Sequence, residues 1–278
     1  MVKKKTAGTI IGKILIFIFI LVEAYPIFWI FMSSLKSTDE FVLSASYALP
    51  KGIHWQNFVE AWNRGRMNIY FKNSTIVTLI SLVFIVLLST TAAFALTKMR
   101  WKLRKYVMQI FISGIMIPTA VVLIPLYSIF NNLNMLNSYG SLILTYIAFG
   151  LPLSIFLLRG YLSALPDDIL EAAVMDGANI FQMFTRIVMP LMKTGIVTVL
   201  VIQFYFRWND LMFSMTFVSD NNMKTVQTGL LYFSDQYGNS NWGAIFACIA
   251  IAVAPTLILY VALNKMVIEG MTAGAVKG

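Results

Sequence analysis

The side chains that most often perform covalent or metal chemistry are scarce in this chain. It contains one histidine, His54, and one cysteine, Cys248. This count excludes an intrachain disulfide and a Cys/His zinc site, and we also expect no Cys–His nucleophile pair. A phosphate-binding G-x4-G-K-[ST] loop is missing too, because Gly12-Lys13 has the wrong spacing and is followed by Ile14. We therefore expect no cofactor, no metal and no ATP hydrolysis on this chain.

Three charged residues, Glu23, Arg207 and Asp210, are expected at membrane depth within apolar stretches. Such groups are energetically costly in lipid and are candidates for function by default. Arg207 and Asp210 are three positions apart, so on a continuous helix they would be close enough to pair. Glu23 is not accompanied by the chain of carboxylates or histidines that a proton relay needs. It is therefore interpreted as a structural acid.

The composition requires a membrane around these residues. Of 278 residues, 59% are hydrophobic and 12% are charged, and the mean hydropathy is +0.77. Soluble domains have roughly 45–50% apolar and about 25% charged residues. Six apolar stretches of membrane-spanning length predict an all-α protein with six transmembrane helices. They cover residues 10–32, 74–96, 106–130, 139–158, 195–218 and 242–263.

The net charge is +9, and the distribution of the Lys and Arg residues along the chain indicates its orientation in the membrane. In a soluble protein this charge would indicate a nucleic-acid partner, but basic residues of membrane proteins gather in cytoplasmic loops. With the N-terminus inside, 14 of the 21 Lys and Arg residues lie inside, 6 lie outside, and Arg207 lies within a span. Both termini are therefore predicted to be cytoplasmic, and no nucleic-acid partner is needed.

The longest inside loop, residues 159–194, predicts two short helices. Pro166 suits a first helical position, and Asp167 and Asp168 suit the first turn. Gly177 can end this helix in a left-handed conformation. Asn179 and Gln182 then have the spacing of a capping box for a second helix, and Pro190 opens the fifth span. Such a helix–turn–helix lies where a cytoplasmic partner can meet it.

The same loop resembles the EAA loop of ABC importer permeases. That pattern, E-A-A-x3-G-x9-I-x-L-P, is matched by Glu171-Ala172-Ala173, Gly177, Ile187 and Pro190, with Met189 in place of Leu. The resemblance extends over nearly the whole chain, which is similar to the shorter permease of maltose-type carbohydrate importers. Its further segments are Trp29, 34–36, 73–74, 117–118, 124–127, 157–159, 208–210 and the C-terminal 270–278.

This resemblance implies one subunit of a prokaryotic inner-membrane importer for a sugar or oligosaccharide. Its partners would be a second homologous permease, two copies of an ATPase that binds ATP and Mg, and an extracytoplasmic sugar-binding protein. Implied contacts with the ATPase are the coupling residues Glu171, Ala172, Ala173, Asp176, Gly177, Ile187 and Pro190, and the tail residues Thr272, Ala273, Gly274 and Lys277. Residues 73–268 would form the permease core, residues 1–72 an N-terminal region with the first span, and residues 269–278 a cytoplasmic tail.

Two other groups of residues are interpreted in the light of this resemblance. The outer part of the fifth span is polar and aromatic, and it either contacts sugar along the pathway or packs against the second permease as a gate. Its candidates are Gln203, Arg207, Trp208, Asn209 and Asp210. The outside loop 219–241 either contacts the binding protein or is an ordinary solvated loop. Its candidates are Tyr232, Asp235, Tyr237 and Asn239.

Three alternative functions compete with a sugar importer. An ABC importer for another solute, such as glycerol phosphate, belongs to the same class. An ion-coupled secondary transporter would need more coupling-ion groups than the three charged residues at membrane depth. A membrane enzyme would need a nucleophile–base or metal set; an aspartyl pair or Ser–Lys dyad is formally open. We expect a transport subunit and no enzyme.

Overall fold

The computed structural model describes residues 7–45, 47–237 and 241–275, and within these ranges its regular structure is helical. One π-helical turn, Phe184–Val188, lies between α9 and α10. The helices are α1 (Ala7–Ser34), α2 (Thr38–Leu43), α3 (Gln56–Asn63), α4 (Met67–Thr97), α5 (Arg104–Ile115), α6 (Thr119–Asn132), α7 (Tyr139–Ala164), α8 (Asp167–Met175), α9 (Ile180–Met183), α10 (Met189–Leu191), α11 (Lys193–Trp208), α12 (Met212–Phe217), α13 (Val226–Tyr237) and α14 (Trp242–Ala275).

Among the described residues, four helices are long and apolar enough to cross a membrane. They contain Ile11–Ser34, Met67–Thr97, Tyr139–Ala164 and Trp242–Leu263. Two bent helix pairs raise the number of possible crossings to six, in agreement with the six predicted stretches. The chain is therefore an all-α, multi-pass membrane protein.

The third span is broken, so the prediction of a continuous helix over 106–130 is wrong. Helices α5 and α6 meet at an angle of 101°. Pro118 lies at the break in an extended conformation, with φ −66° and ψ 129°. Proline has no amide hydrogen and disfavours helical conformation in the residue before it. Pro125 and Pro152, in contrast, lie inside α6 and α7.

The fifth span differs more from its prediction of one helix over 195–218. Helix α11 begins at Lys193, three residues after Pro190, and is bent by 72° from the preceding segment. It ends at Trp208, because Asn209 adopts φ −94° and ψ 9°. The chain then resumes as the separate helix α12. Asp210 accepts the backbone N–H of Ser214 at 3.0 Å and so satisfies an N-terminal amide of α12.

The chain divides into two compact units. The first comprises residues 1–68 and 229–253. In it, the ring of Trp29 packs edge-on against Phe246 at 5.0 Å, and Asn57 Nδ2 donates to the carbonyl oxygens of Ser34 and Lys36, at 2.8 Å each. Residues 55–64 (WQNFVEAWNR) have the apolar spacing of an amphipathic helix, and α3 lies within them.

The second unit comprises residues 69–228 and 254–278 and contains two apolar clusters. One cluster packs α4, α5 and α7 against the segment before α11; its buried members include Ile85, Leu158, Val188 and Met192. The other packs α12 against α6 and α7, with Phe130, Tyr146 and Phe217 buried. These clusters position the two candidate sites described next.

Candidate functional site: an exposed helical loop and a polar cavity

The first candidate site is the loop between α7 and α11. Helix α8 begins at Asp167, and Asp167 and Asp168 occupy its first turn as predicted. Pro166 precedes the helix, with ψ 138°, so the prediction that it takes the first helical position is wrong by one residue. Its fixed φ and extended ψ turn the chain sharply from α7 into α8.

Gly177 ends α8 as the sequence predicted. Its φ is +78°, and the following Ala178 N–H donates to the Ala173 carbonyl at 2.9 Å, which is typical of a left-handed helix cap. A Cβ atom at Gly177 would meet nothing within 4 Å. The requirement for glycine therefore comes from backbone conformation alone.

The second helix of the loop starts with the predicted capping box. The Asn179 N–H donates to Gln182 Oε1 at 3.0 Å, and the Gln182 N–H donates to Asn179 Oδ1 at 2.9 Å. Helix α9 then passes into the π-helical turn, which contains the half-buried Ile187. Pro190 lies exposed in α10.

The loop presents apolar side chains to its surroundings. Ala173 is buried, whereas Glu171, Ala172 and Asp176 are exposed, and the Glu171 side chain makes no hydrogen bond or ion pair among the described residues. Next to them lie four exposed apolar residues, which we call the apolar patch; Met175 is 86% exposed and Phe181 71% exposed. The patch consists of Val174, Met175, Ile180 and Phe181. Contiguous exposed apolar residues typically mark an interaction surface.

Lys98 anchors this loop to α4. Its ammonium group donates to the Leu165 carbonyl at 2.7 Å and to Asp167 Oδ1 at 2.5 Å. The Lys98 side chain is 8% exposed and that of Asp167 70% exposed. The hydrogen bond and positive charge of Lys98 lower the pKa of the Asp167 carboxyl below its ordinary value of 3.8. One buried ammonium thus joins the end of α4 to the end of α7 and the start of α8.

The second candidate site surrounds the break between α11 and α12. Tyr146 donates its hydroxyl to Asp210 Oδ2 at 2.8 Å, and the guanidinium carbon of Arg207 lies 5.3 Å from the Tyr146 ring centroid. No ion pair joins Arg207 to Asp210 in this described region, so the predicted pair is wrong. The reason is that α11 ends between them, and Tyr146 lies in contact with both.

Gln203 links α11 to α7. Its Nε2 donates to the Gly150 carbonyl at 3.2 Å and to Ser154 Oγ at 3.1 Å, while its Oε1 accepts Arg207 Nη2 at 3.1 Å. A Cβ atom at Gly150 would lie 2.5 Å from Ile85 Cδ1 and 3.2 Å from Gln203 Oε1. Glycine at 150 therefore permits this close approach. The buried Nε of Arg207 has no hydrogen-bond partner.

A cavity of about 500 Å³ adjoins these groups. It is bordered by the break between α5 and α6 and by the break between α11 and α12, and its lining includes Gln203, Arg207, Asn209 and Asp210. Trp208 does not line it, because its ring is stacked on Phe204 at 5.5 Å and packs edge-on against Phe71 at 5.2 Å. Four of the five predicted pathway residues thus share one cavity.

The remaining predicted contacts lie in two other segments. Tyr232, Asp235 and Tyr237 belong to α13, so the expectation of a loop over 219–241 is wrong for much of its length; Asn239 lies outside the described residues. In the tail, Thr272, Ala273 and Gly274 belong to α14, and Lys277 lies outside the described residues.

Sequence reasoning missed three residues that these sites depend on: Lys98, Tyr146 and Gly150. Lys98 was counted only as a cytoplasmic charge, and its partner Asp167 is 69 positions away. Tyr146 is a lone phenol in an apolar helix, which is a weak signal for a buried hydrogen bond.

Comparisons with known proteins identify the family. Residues 85–272 match the family described as "Binding-protein-dependent transport system inner membrane component". The probable ABC transporter permease protein YurM of Bacillus subtilis is 36% identical over 265 residues, covering 95% of this chain and 87% of YurM. The diacetylchitobiose uptake system permease protein NgcG of Streptomyces coelicolor is 30% identical over 265 residues, covering 95% and 87% of the two chains.

A solved structure has the same fold. The crystal structure of a bacterial ABC transporter involved in the import of the acidic polysaccharide alginate matches 95% of this chain and 98% of its own, with a TM-score of 0.80 and 21% identity. The family match, the relatives and this fold agree with the loop pattern at Glu171–Pro190. The chain therefore belongs to the inner-membrane components of binding-protein-dependent transport systems, the permeases of ABC transporters.

Proposed function

We propose that this permease imports a sugar or oligosaccharide, with ATP hydrolysed on partner subunits that bind the α7–α11 loop. The observation that carries the proposal is the apolar patch beside Glu171 and Gly177. An apolar surface on a loop outside the spans is typical of a protein-interaction site, and the loop has the pattern of the EAA loop. Substrate class is supported by the names of the relatives, which specify diacetylchitobiose for NgcG and alginate for the solved transporter.

The loop is built to transmit movement of a partner to the spans. Lys98 joins α8 to the ends of α4 and α7. The ring of Phe184 also packs 5.4 Å from Phe94 of α4. A push on Glu171 or the patch therefore acts on packed helices and not on a free loop. These contacts support coupling through Glu171, Ala172, Ala173, Asp176, Gly177, Ile187 and Pro190.

The cavity near Asp210 is the proposed solute pathway in this chain. Non-helical backbone at membrane depth is tolerated where it is buried in protein or lines a water-filled cavity, and residues 209–211 meet this condition. The amide of Asn209 and the guanidinium of Arg207 border the space and can hydrogen-bond sugar hydroxyls. The alternative role, a gate against a second permease, uses the same residues.

Membership of the family supports a multi-subunit importer. It would contain a second homologous permease, two ATPase subunits that bind ATP and Mg, and an extracytoplasmic binding protein that contacts α13 and the segment after it. The excess of Lys and Arg supports cytoplasmic N- and C-termini in a prokaryotic inner membrane. The tail, including Thr272 and Lys277, would lie against the ATPase.

Cysteine cross-linking tests the partner and the orientation together. Cys248 is the one cysteine of the sequence, so replacing it with alanine gives a cysteine-free chain. Met175→Cys places a thiol on the patch, and Leu43→Cys places an equally accessible one in α2, since the parent side chains are 86% and 85% exposed. We expect Met175→Cys to cross-link to a co-purifying ATPase and Leu43→Cys to give no such product. Labelling of Met175→Cys by an impermeant reagent from outside the cell would overturn the proposal.

Substrate class is tested separately in vesicles that contain the complex and its external binding protein. We expect ATP-dependent uptake of at least one member of an oligosaccharide panel. Uptake of glycerol phosphate alone would replace the sugar with that solute. Uptake driven by an ion gradient without ATP would favour a secondary transporter.

A further inference from the structure

A second cavity, distinct from the solute cavity, lies between the ends of α4, α5 and α7. Its volume is about 570 Å³. Three of its lining residues are cationic, Arg104, Lys105 and Arg159, and none carries a carboxylate. The other lining residues are Leu96, Thr97, Met108, Gln109, Ile112 and Ser163. We call this space the basic cavity.

Among the described residues, none of the three cations has an anionic partner. Arg104 Nη1 donates to the Met99 carbonyl at 3.2 Å, a neutral acceptor. The side chains of Lys105 and Arg159 make no hydrogen bond or ion pair within the described part of the chain. Like charges grouped in this way repel one another unless an anion lies between them. The cavity thus has charge complementarity to a ligand that the chain itself does not supply.

Two further features fit a phosphate group. Arg104 and Lys105 hold the first two positions of α5, where cations oppose the helix dipole, and the N-cap residue Leu103 provides no side-chain cap. An anion at this position would offset both effects. Thr97, a lining residue, has a buried Oγ1 that lacks a hydrogen-bond partner.

The remaining walls indicate a lipid and not a free ion. Leu96, Met108 and Ile112 form an apolar wall, which an inorganic ion does not need. Trp101 and Tyr106, in the same segment, are 40% and 64% exposed. Exposed tryptophan and tyrosine at the end of a span typically lie at the level of the lipid headgroups. The basic cavity therefore lies where phospholipid phosphates are concentrated.

The geometry points to a binding site for the phosphate of an anionic phospholipid, held by Lys105, Arg159 and Arg104 with the acyl chains along the apolar wall. Basic pockets between transmembrane helices on the cytoplasmic side bind acidic headgroups by the same principle. The site depends on the proposed orientation of the chain, but not on the identity of the solute. Its occupant would hold the ends of α4, α5 and α7 together, next to the Lys98 anchor.

Lipid retention by the purified importer complex tests this site. Lys105→Gln with Arg159→Gln removes two cavity cations, and Lys102→Gln with Arg186→Gln removes two exposed charges that do not line the cavity. Each cation near an acidic membrane contributes about 1 kcal/mol, so the first pair should weaken phosphatidylglycerol binding by about 30-fold. Native mass spectrometry in phosphatidylglycerol should show this loss for the cavity variant and not for the control. Equal retention by both variants would overturn the proposal.

Photolabelling of the unsubstituted complex keeps the test decisive if the cavity variant does not assemble. A phosphatidylglycerol with a photoreactive headgroup should label peptides that contain residues 96–112 or 159–163. Excess inorganic phosphate should not prevent the labelling. Full competition by inorganic phosphate would make the site a simple anion site, and cross-links from these residues to the ATPase would make it a protein contact; either result contradicts a lipid site. Neither measurement depends on uptake, so failure here leaves the proposed function untouched.

Discussion

Gly177 offers the most direct test of how the α7–α11 loop acts, because its substitution changes one quantity. Its φ is +78°, and a Cβ atom at this position would meet no other atom within 4 Å. An alanine side chain therefore adds no clash. The whole effect of Gly177→Ala is the penalty for a left-handed conformation, which is about 1–2 kcal/mol for an ordinary L-residue.

The penalty predicts an order among substitutions. Asparagine tolerates the left-handed region better than alanine, and β-branched valine tolerates it least. A loss of 1–2 kcal/mol lowers the population of the capped loop by about 5- to 30-fold relative to the alternatives. Because the cap sets the angle between α8 and α9, it also sets the shape of the apolar patch. Sugar uptake should therefore be reduced least by Gly177→Asn, more by Gly177→Ala and most by Gly177→Val.

The assay compares uptake with ATP hydrolysis in reconstituted vesicles. We expect uptake per ATP hydrolysed to fall while the complex still assembles. The matched control is Gly160→Ala in α7, where a Cβ atom also meets nothing within 4 Å but φ is not positive. That change should be neutral or slightly stabilising, since alanine favours helix by about 0.5–1 kcal/mol over glycine. Equal uptake for Asn, Ala and Val at position 177 would refute the reasoning.

Four further predictions concern contacts inside the permease. Lys98→Met should lower uptake per ATP and Lys98→Arg should preserve much of it, measured in the same vesicles. Because the pKa of Asp167 is lowered below 3.8, its pairing with Lys98 is present at neutral pH and is lost only as the pH falls through that lowered value. Uptake per ATP hydrolysed should therefore be constant across mildly acidic and neutral pH. Asp167→Asn should lower it over the whole of that range. Tyr146→Phe removes a 2.8 Å hydrogen bond and should destabilise the permease by about 1–3 kcal/mol, seen as a lower unfolding midpoint in detergent. Gly150→Ala should destabilise it by a similar 1–3 kcal/mol through overpacking, and Ile85→Val should restore part of the loss; no rescue would mean that the contact with Ile85 is not the cause.

Local rules predicted the α7–α11 loop well. The left-handed Gly177 and the Asn179–Gln182 capping box depend on residues no more than five positions apart. Steric preference and short-range hydrogen bonds therefore decide them without tertiary information. The error at Pro166 was one residue, which is the usual uncertainty at a helix boundary.

The breaks in the third and fifth spans were not predicted, because an apolar stretch of sequence does not show whether its backbone forms one continuous helix. Residues around 115–119 are largely apolar, and Asn209 and Asp210 are two polar residues between apolar segments, so each region was read as part of one stretch. Proline favours a kink at Pro118, but a bend of 101° depends on packing as well as on proline. Asp210 was read as a helical partner of Arg207; instead it accepts Tyr146 from 64 positions away. Contacts over such a distance cannot be inferred from one sequence.

The two candidate sites are connected through a single helix. Helix α11 begins where the loop ends, at Lys193, and stops at Trp208, beside the cavity. Its 16 residues span about 24 Å at 1.5 Å per residue. Gln203, near the C-terminal end of α11, donates to the Gly150 carbonyl of α7, and Tyr146 of α7 donates to Asp210 just after α11. At its N-terminal end, α11 is bent by 72° from the preceding loop segment. We therefore propose that a displacement of α8 reaches the cavity as a movement of α11 between two breaks, which let α11 move without unwinding the neighbouring helices.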